Sequence, residues 1–142
     1  MSMKQDIMTA FLTALGNIST DNGYSINIGS HVYEWPDSDI PKSVTHAIAI
    51  RDPRDEIVDG DEQAHRVEYE IIYRNVGSTA PAQIRAVQED ILTAVATVIG
   101  LESDISAIDY ESSETEVVKE QKRMAFVAMY FSVYFTDNEW NI

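Results

Sequence analysis

Apolar residues recur at helical spacing in two stretches of the chain. In the first stretch they repeat every three or four positions: Ile7, Phe11, Ala14 and Ile18. The second stretch has similar spacing: Ile84, Val87, Ile91, Val95 and Val98. Pro81 precedes this second stripe, and proline suits the first turn of a helix. The pattern therefore predicts one helix over residues 4–18 and a second that begins near Pro81.

Five other stretches have the composition or alternation of β-strands: residues 24–33, 44–51, 66–74, 105–116 and 124–136. The third alternates most clearly, with Val67, Tyr69 and Ile71 on one side and Glu68 and Glu70 on the other. The last is apolar on both faces, which is typical of a strand covered on both sides.

These elements follow one another in the order α-β-β-β-α-β-β. The chain has 142 residues, a length typical of one domain. We expect an α+β fold in which two helices pack on one face of a mostly antiparallel sheet of about five strands. Two helices can hardly cover both faces of such a sheet, so a neighbouring subunit is the economical cover for the second face of the last strand. A mobile acidic loop is expected over residues 52–62 and a C-terminal tail over residues 137–142.

The charge is unusual for a domain of this size. Ten Lys and Arg against 24 Asp and Glu give a formal net charge of −14. Autonomous nucleic-acid binding needs a clustered basic surface, and here the basic residues are scattered. Such acidity favours solubility or a basic partner.

No segment has the pattern of a signal peptide or a membrane helix, so we expect the chain to remain in the cytoplasm where it is made.

No motif identifies a catalytic, metal or cofactor site. Without cysteine, thiol chemistry is excluded, and the common phosphate-loop, zinc-protease and serine-hydrolase motifs are missing. Asp55–Gly60 resembles a calcium loop, but the ligand positions fall on Ile57 and Arg66. Glu68 and Glu70 are spaced for acid–base chemistry, although their arginine neighbours favour cross-strand ion pairs. We therefore expect no enzyme activity, no metal and no cofactor.

Two sets of acidic residues and two tryptophans are candidates for contact surfaces. The acidic residues are Asp52, Asp55, Glu56, Asp59, Asp61, Glu62, Glu111, Glu114 and Glu116. Trp35 and Trp140 lie outside the predicted elements, and tryptophan is enriched at the centres of interfaces. Docking of each tryptophan on its own subunit is the alternative.

The order of elements along the chain is informative. An opening helix leads to Gly23-Tyr24, a strand ending at Val32-Tyr33, and a strand that follows Pro41. The long strand with Val67–Ile71, the Pro81 helix with Asp90-Ile91, and a closing hairpin come next. Over nearly its full length the chain thus resembles the small tail terminator proteins (minor tail or tail-completion proteins) of long-tailed bacteriophages. The resemblance implies a structural virion protein, assembled in the host cytoplasm, that forms a hexameric ring at the head-proximal end of the tail tube. Such a ring would end tube polymerisation and present a surface to the head–tail connector.

In such a ring the acidic residues would face the lumen or an axial interface, so that DNA passes without specific binding. Three other functions stay open. The chain would be another neck or connector component, an acidic inhibitor that mimics DNA, or a small metal-dependent hydrolase with clustered carboxylates.

Overall fold

A computed structural model describes residues 3–34, 44–58, 61–76, 81–119 and 123–136. The helices are α1 (Met3–Gly16), α2 (Pro81–Ala96) and the single turn α3 (Val98–Leu101). The strands are β1 (Val32–Glu34), β2 (His46–Val58), β3 (Asp61–Val76), β4 (Ile105–Lys119) and β5 (Arg123–Thr136). No helix among these residues is long and apolar enough to cross a membrane.

The strands form one sheet in the order β1-β2-β3-β5-β4. Only β1 and β2 pair in parallel, and the other three pairings are antiparallel. The α+β class, the five strands and the mostly antiparallel sheet are therefore confirmed. The long strands β3 and β5 pair over 13 residues each, from Ala64 opposite Thr136 to Val76 opposite Met124.

The helices pack on one face of this sheet, which we call the covered face. The predicted helical stripes are confirmed, because every residue of both stripes is buried. Phe11 of α1 stacks on Tyr69 of β3 with ring centroids 4.4 Å apart, and both side chains are almost fully buried. Alternation in β3 therefore places its apolar set under the helices, as the sequence predicts.

The strand expected over residues 24–33 is mostly wrong. Only Val32–Glu34 pairs with the sheet, and single-turn 3₁₀ helices occupy Thr20–Asn22 and Gly29–His31. The backbone donors of this segment are used elsewhere: Ser25 N–H donates to the Asp90 carboxylate, and Ile28 N–H donates to the Ile18 carbonyl. Ile28 is buried without being part of a strand. Apolar alternation here reflects packing on the core rather than strand pairing.

The acidic loop expected over residues 52–62 is also wrong. β2 continues to Val58 and β3 begins at Asp61, so the two strands form one long hairpin. Pro53 is accommodated because the pairing register shifts between Arg51 and Arg54, and a bulge tolerates a residue that lacks a backbone donor. The predicted tail over residues 137–142 lies outside the described residues.

The second face of the sheet, which we call the open face, is not covered by any described helix. Register places the even-numbered residues of β3 and β5 on it. On β5 these include Phe126, Tyr130 and Tyr134, which are all half-buried. Among the described residues, the expectation that both faces of the last strand are covered is therefore met on one face only.

Candidate functional site

The open face collects most of the arginine in the chain. Cross-strand register aligns Arg51 with Glu70, Arg54 with Glu68, and Glu56 with Arg66. Arg74 is on the same face, opposite Ala47. Four of the six arginines in the sequence therefore share one face of the β2–β3 hairpin, although the chain as a whole is strongly acidic.

Arg66 links the two acidic sets that the sequence analysis singled out. Its guanidinium nitrogens lie 3.7 Å from a Glu56 oxygen, 3.2 Å from a Glu68 oxygen and 3.8 Å from a Glu111 oxygen. Burial lowers the pKa of Arg66, but Tyr134, Glu68 and Glu56 more than offset this, so its pKa is raised. The acidic residues of β2 and β4 thus meet on one surface through a shared cation.

A second ion pair joins β2 to β3. The Arg51 guanidinium donates to the Glu70 carboxylate, a hydrogen bond that raises the pKa of Arg51. The Glu70 side chain is 10% exposed, and removal of its cation would leave a desolvated carboxylate. Desolvation and the nearby charges of Glu70 and Glu114 raise the pKa of Tyr130. The expected cross-strand ion pairs of Glu68 and Glu70 are confirmed for Glu70, whereas Glu68 pairs with Arg66 on its own strand.

The acids of β4 border a groove on this face. Register places Asp109 opposite Ser132, Glu114 opposite Ala128 and Glu116 opposite Phe126. A shallow groove of about 500 Å³ runs along this edge, and its lining residues are Glu114, Thr115, Glu116, Phe126 and Ala128. Among the described residues no ion pair is found for Asp109, Glu114 or Glu116, and all three are exposed. The groove therefore has acidic walls and an apolar floor.

Asp52 and Asp55 lie towards the covered face, away from this groove. Asp55 contacts Lys4 of α1 at 3.6 Å and the His65 ring at 3.0 Å. Burial, and then the negative charges of Asp52, Asp55 and Glu34, raise the pKa of Tyr69 far above its ordinary range. The predicted acidic surface is therefore divided between the two faces of the hairpin.

The remaining predicted surface residues are placed only in part. Asp61 and Glu62 are the first two residues of β3. Asp59, Trp35 and Trp140 lie outside the described residues. Whether any of these residues faces a lumen or a partner stays a prediction.

The histidines do not form a metal cluster. His31 and His46 have ring centroids 5.8 Å apart, and His65 stacks on Phe135 at the opposite end of the hairpin. Burial and the neighbouring His31 lower the pKa of His46. Within the described ranges no three His, Asp or Glu side chains are grouped closely enough to hold a metal ion.

Comparisons with known proteins do not assign the chain to a family. No protein-family model matches the chain, and no curated protein matches it.

Sequence reasoning missed the arginine side of the open face. The sequence does contain a signal for it: Arg54 and Glu56 share one side of β2, and Arg66 and Glu68 share one side of β3. The sequence conceals this pattern because the acidic residues and Pro53 within residues 52–62 predict a loop. Opposed charges on paired strands become visible only once the hairpin register is known.

Proposed function

We propose that this chain is a structural virion protein of the tail-terminator type. In this proposal it forms a ring, a hexamer by its resemblance, at the head-proximal end of a phage tail tube. The ring ends tube polymerisation and joins the tail to the head connector. It has no catalytic role and uses no cofactor.

The observation that carries the proposal is a sheet face, built from long strands, that no described helix covers. β2, β3, β4 and β5 have 13, 16, 15 and 14 residues, well above the five or six typical of a strand. The half-buried aromatic residues Phe126, Tyr130 and Tyr134 lie on that face. An interface is typically enriched in aromatic residues and arginine, and this face has both. A self-assembling protein needs such a surface, whereas an isolated small enzyme does not.

The acidity also supports this function. DNA that passes through a ring should meet like charge, because lysine and arginine would bind its phosphates. Glu114 and Glu116 are exposed and have no described cation beside them. They are the best placed of the predicted acids to face passing DNA or an axial partner.

The test begins with the mass of the purified chain, measured by light scattering behind a sizing column over a concentration series. A ring of about six subunits supports the proposal. The second step adds the chain to polymerising tail tube protein and measures tube length by electron microscopy. Capped tubes of uniform length are expected, and tubes that grow as long with the chain as without it would overturn the terminator function.

An acidic inhibitor that mimics DNA is the second candidate, favoured by the exposed acids along β4. Arg66 counts against it, because it lies 3.8 Å from Glu111 of β4, and Arg51 and Arg54 add positive charge to the same sheet face. This candidate predicts a strict monomer that binds a DNA-binding protein tightly.

Another neck or connector component would form a ring but would bind the connector without altering tube length.

A further inference from the structure

β4 is the last strand of the sheet, and its outer side is accessible along most of its length. It has 15 residues and pairs only with β5 among the described residues, whereas β1 at the opposite end of the sheet has three. All residues from 109 to 117 except Ser113 are exposed. A strand at the end of a sheet presents unpaired backbone donors and acceptors, so a further strand can pair with it.

Residues 112–117 are the regular part of this strand, and we call them the β4 edge. The register with β5 shifts between Tyr110 and Ser112 and then continues without interruption to Lys119. Because a bulge bends the strand that contains it, a partner strand can pair regularly only beyond the shift. The β4 edge offers six residues, which is about the usual length of a strand.

The two sides of the β4 edge differ in chemistry. Register places Glu114 and Glu116 on the open face, and neither has an ion pair within the described part of the chain. On the other side Val117 is 40% exposed, and Thr115 is also exposed. A matching strand therefore has cations on the first side and β-branched or aromatic residues on the second.

We propose that the β4 edge binds an extended segment of another protein in which lysine or arginine alternates with β-branched or aromatic residues. The segment adds a strand to the sheet through backbone hydrogen bonds. Its cations lie opposite Glu114 and Glu116, within the roughly 5 Å that separates directly opposed side chains on neighbouring strands. Opposite charges at that spacing stabilise strand pairing, and the apolar side chains of the segment pack on Thr115 and Val117.

The same charges disfavour a second copy of this chain as the occupant. Antiparallel pairing of two β4 edges would place Glu114 and Glu116 of both copies on one side of the joined sheet. Like charges on directly opposed strands are destabilising, and each chain has a net charge of −14. Charged residues on an edge strand commonly prevent such self-pairing. Here they also determine which strand can bind, because a basic segment converts the repulsion into attraction.

This inference goes beyond the proposed function and does not rest on it. Strand addition at the β4 edge requires neither a ring nor a tail tube. A chain that stays monomeric would still bind the segment, and a ring that caps tubes would leave the proposed contact untested. The experiment therefore measures peptide binding, which is independent of assembled mass and of tube length.

The probe is a fluorescently labelled synthetic peptide of about eight residues in which lysine alternates with threonine and valine. Two control peptides have the same side chains and the same charge. In the first, the lysines are consecutive, so they cannot all lie on one side of a strand. In the second, the central backbone nitrogens are methylated, which removes hydrogen-bond donors and keeps the charge. Fluorescence anisotropy over a protein concentration series, at about 0.15 M salt, measures the affinity of each peptide.

Charge reversal in the full chain locates the contact. Glu114→Lys/Glu116→Lys should weaken binding of the alternating peptide at least about tenfold, because like charges then oppose each other across the pair. Glu89→Lys/Asp104→Lys is the matched control, since both residues are exposed outside β4 and the net charge changes equally. This control should bind within about twofold of the unmodified chain. Circular dichroism confirms that both variants are folded.

Hydrogen exchange tests whether the peptide binds as a strand. Pairing with a new strand should slow the exchange of backbone amides within residues 112–117, because those that point outwards gain acceptors. Amides of α2 lie away from the β4 edge and should exchange at unchanged rates. A peptide that is held only by its charge would protect neither set.

The outcomes are distinct. The proposal is supported by a preference of at least about tenfold for the alternating peptide over both controls, with weaker binding to Glu114→Lys/Glu116→Lys and slower exchange in the β4 edge. Equal binding of the three peptides would show only a general attraction of cations to an acidic chain, and it would overturn the proposal. Binding that survives the charge reversal overturns it too, as does the absence of binding up to about 1 mM.

Discussion

The two faces of the same sheet differ in what they exclude from water. The covered face contains Tyr69, Ile71 and Phe131, each at most 2% exposed, beneath the two long helices. On the open face the neighbouring positions of the same strands hold Glu70, Arg66 and Tyr130. Strand alternation alone separates these two environments by a single residue. One face stabilises the fold by apolar burial, whereas the other is held by ion pairs and has half-buried aromatic side chains.

The largest expected difference in stability between the two faces comes from removing one aromatic ring from each. Phe11→Ala removes a fully buried ring stacked on Tyr69, and we expect a loss of about 3–5 kcal/mol in the free energy of unfolding. Phe126→Ala, on the open face, removes a half-buried ring and should cost about 1 kcal/mol. Urea denaturation of both variants measures the difference. Equal losses would contradict the division into a core face and a surface face.

Close backbone packing on the covered side gives the second test. A Cβ atom added to Gly29 would lie 2.2 Å from the Gly16 carbonyl oxygen and 2.7 Å from its carbon. Because backbone must move to relieve that overlap, Gly29→Ala should destabilise the protein by about 1–3 kcal/mol. Gly100→Ala is the control, since nothing lies within 4 Å of the added atom. Gly100→Ala is expected to be neutral or slightly stabilising in its helical turn, and comparable losses in both would refute the tight contact.

Alkaline unfolding tests the dry environment of Tyr69. The folded pKa of Tyr69 is raised, first by burial and then by Asp52, Asp55 and Glu34. The unfolded chain therefore releases this proton first, near its ordinary pKa of about 10. The contribution of Tyr69 is complete below that pH and is lost as pH rises above it.

One pH unit above 10, that loss should reach about 1.4 kcal/mol. Tyr69→Phe keeps the stack on Phe11 but removes the proton, so its stability should fall less steeply between pH 9.5 and 11 than that of the unmodified chain. Urea midpoints over this range make the comparison. Parallel curves for the two proteins would show that the Tyr69 hydroxyl does not reside in a desolvated site.

The smallest effect distinguishes the arginines of the open face from one another. Arg66 serves three carboxylates, so Arg66→Gln leaves Glu56, Glu68 and Glu111 in mutual repulsion and should cost about 1 kcal/mol. Arg54, whose side chain is 64% exposed beside Glu56, should contribute less than about 0.5 kcal/mol when changed to Gln. Thermal or urea unfolding at low salt compares the two. An equal loss of unfolding free energy in both variants would mean that the ion pairs of Arg66 contribute no more than an ordinary surface ion pair.

The helices and the strongest strands follow from sequence pattern because their apolar residues repeat at the period of the element. Ile7 to Ile18, the α2 stripe and the β3 alternation each hold enough repeats to identify the element and its buried side. Residues 24–28 mislead because they alternate but their backbone donors bond to Asp90 and Ile18. Residues 52–58 mislead in the opposite way, since acidic residues and Pro53 are typical of a loop, yet a register shift keeps them in β2.

By itself, the sequence determined the α+β class, the two helical stripes, the alternating β3 strand and the excess of negative charge. These properties depend on local periodicity and composition, which need no knowledge of distant partners. Only the tertiary structure decided that Arg66 gathers carboxylates from β2, β3 and β4, and that Asp55 lies towards α1. Cross-strand register brings together residues far apart in the chain, and no local pattern specifies which strand will be the neighbour.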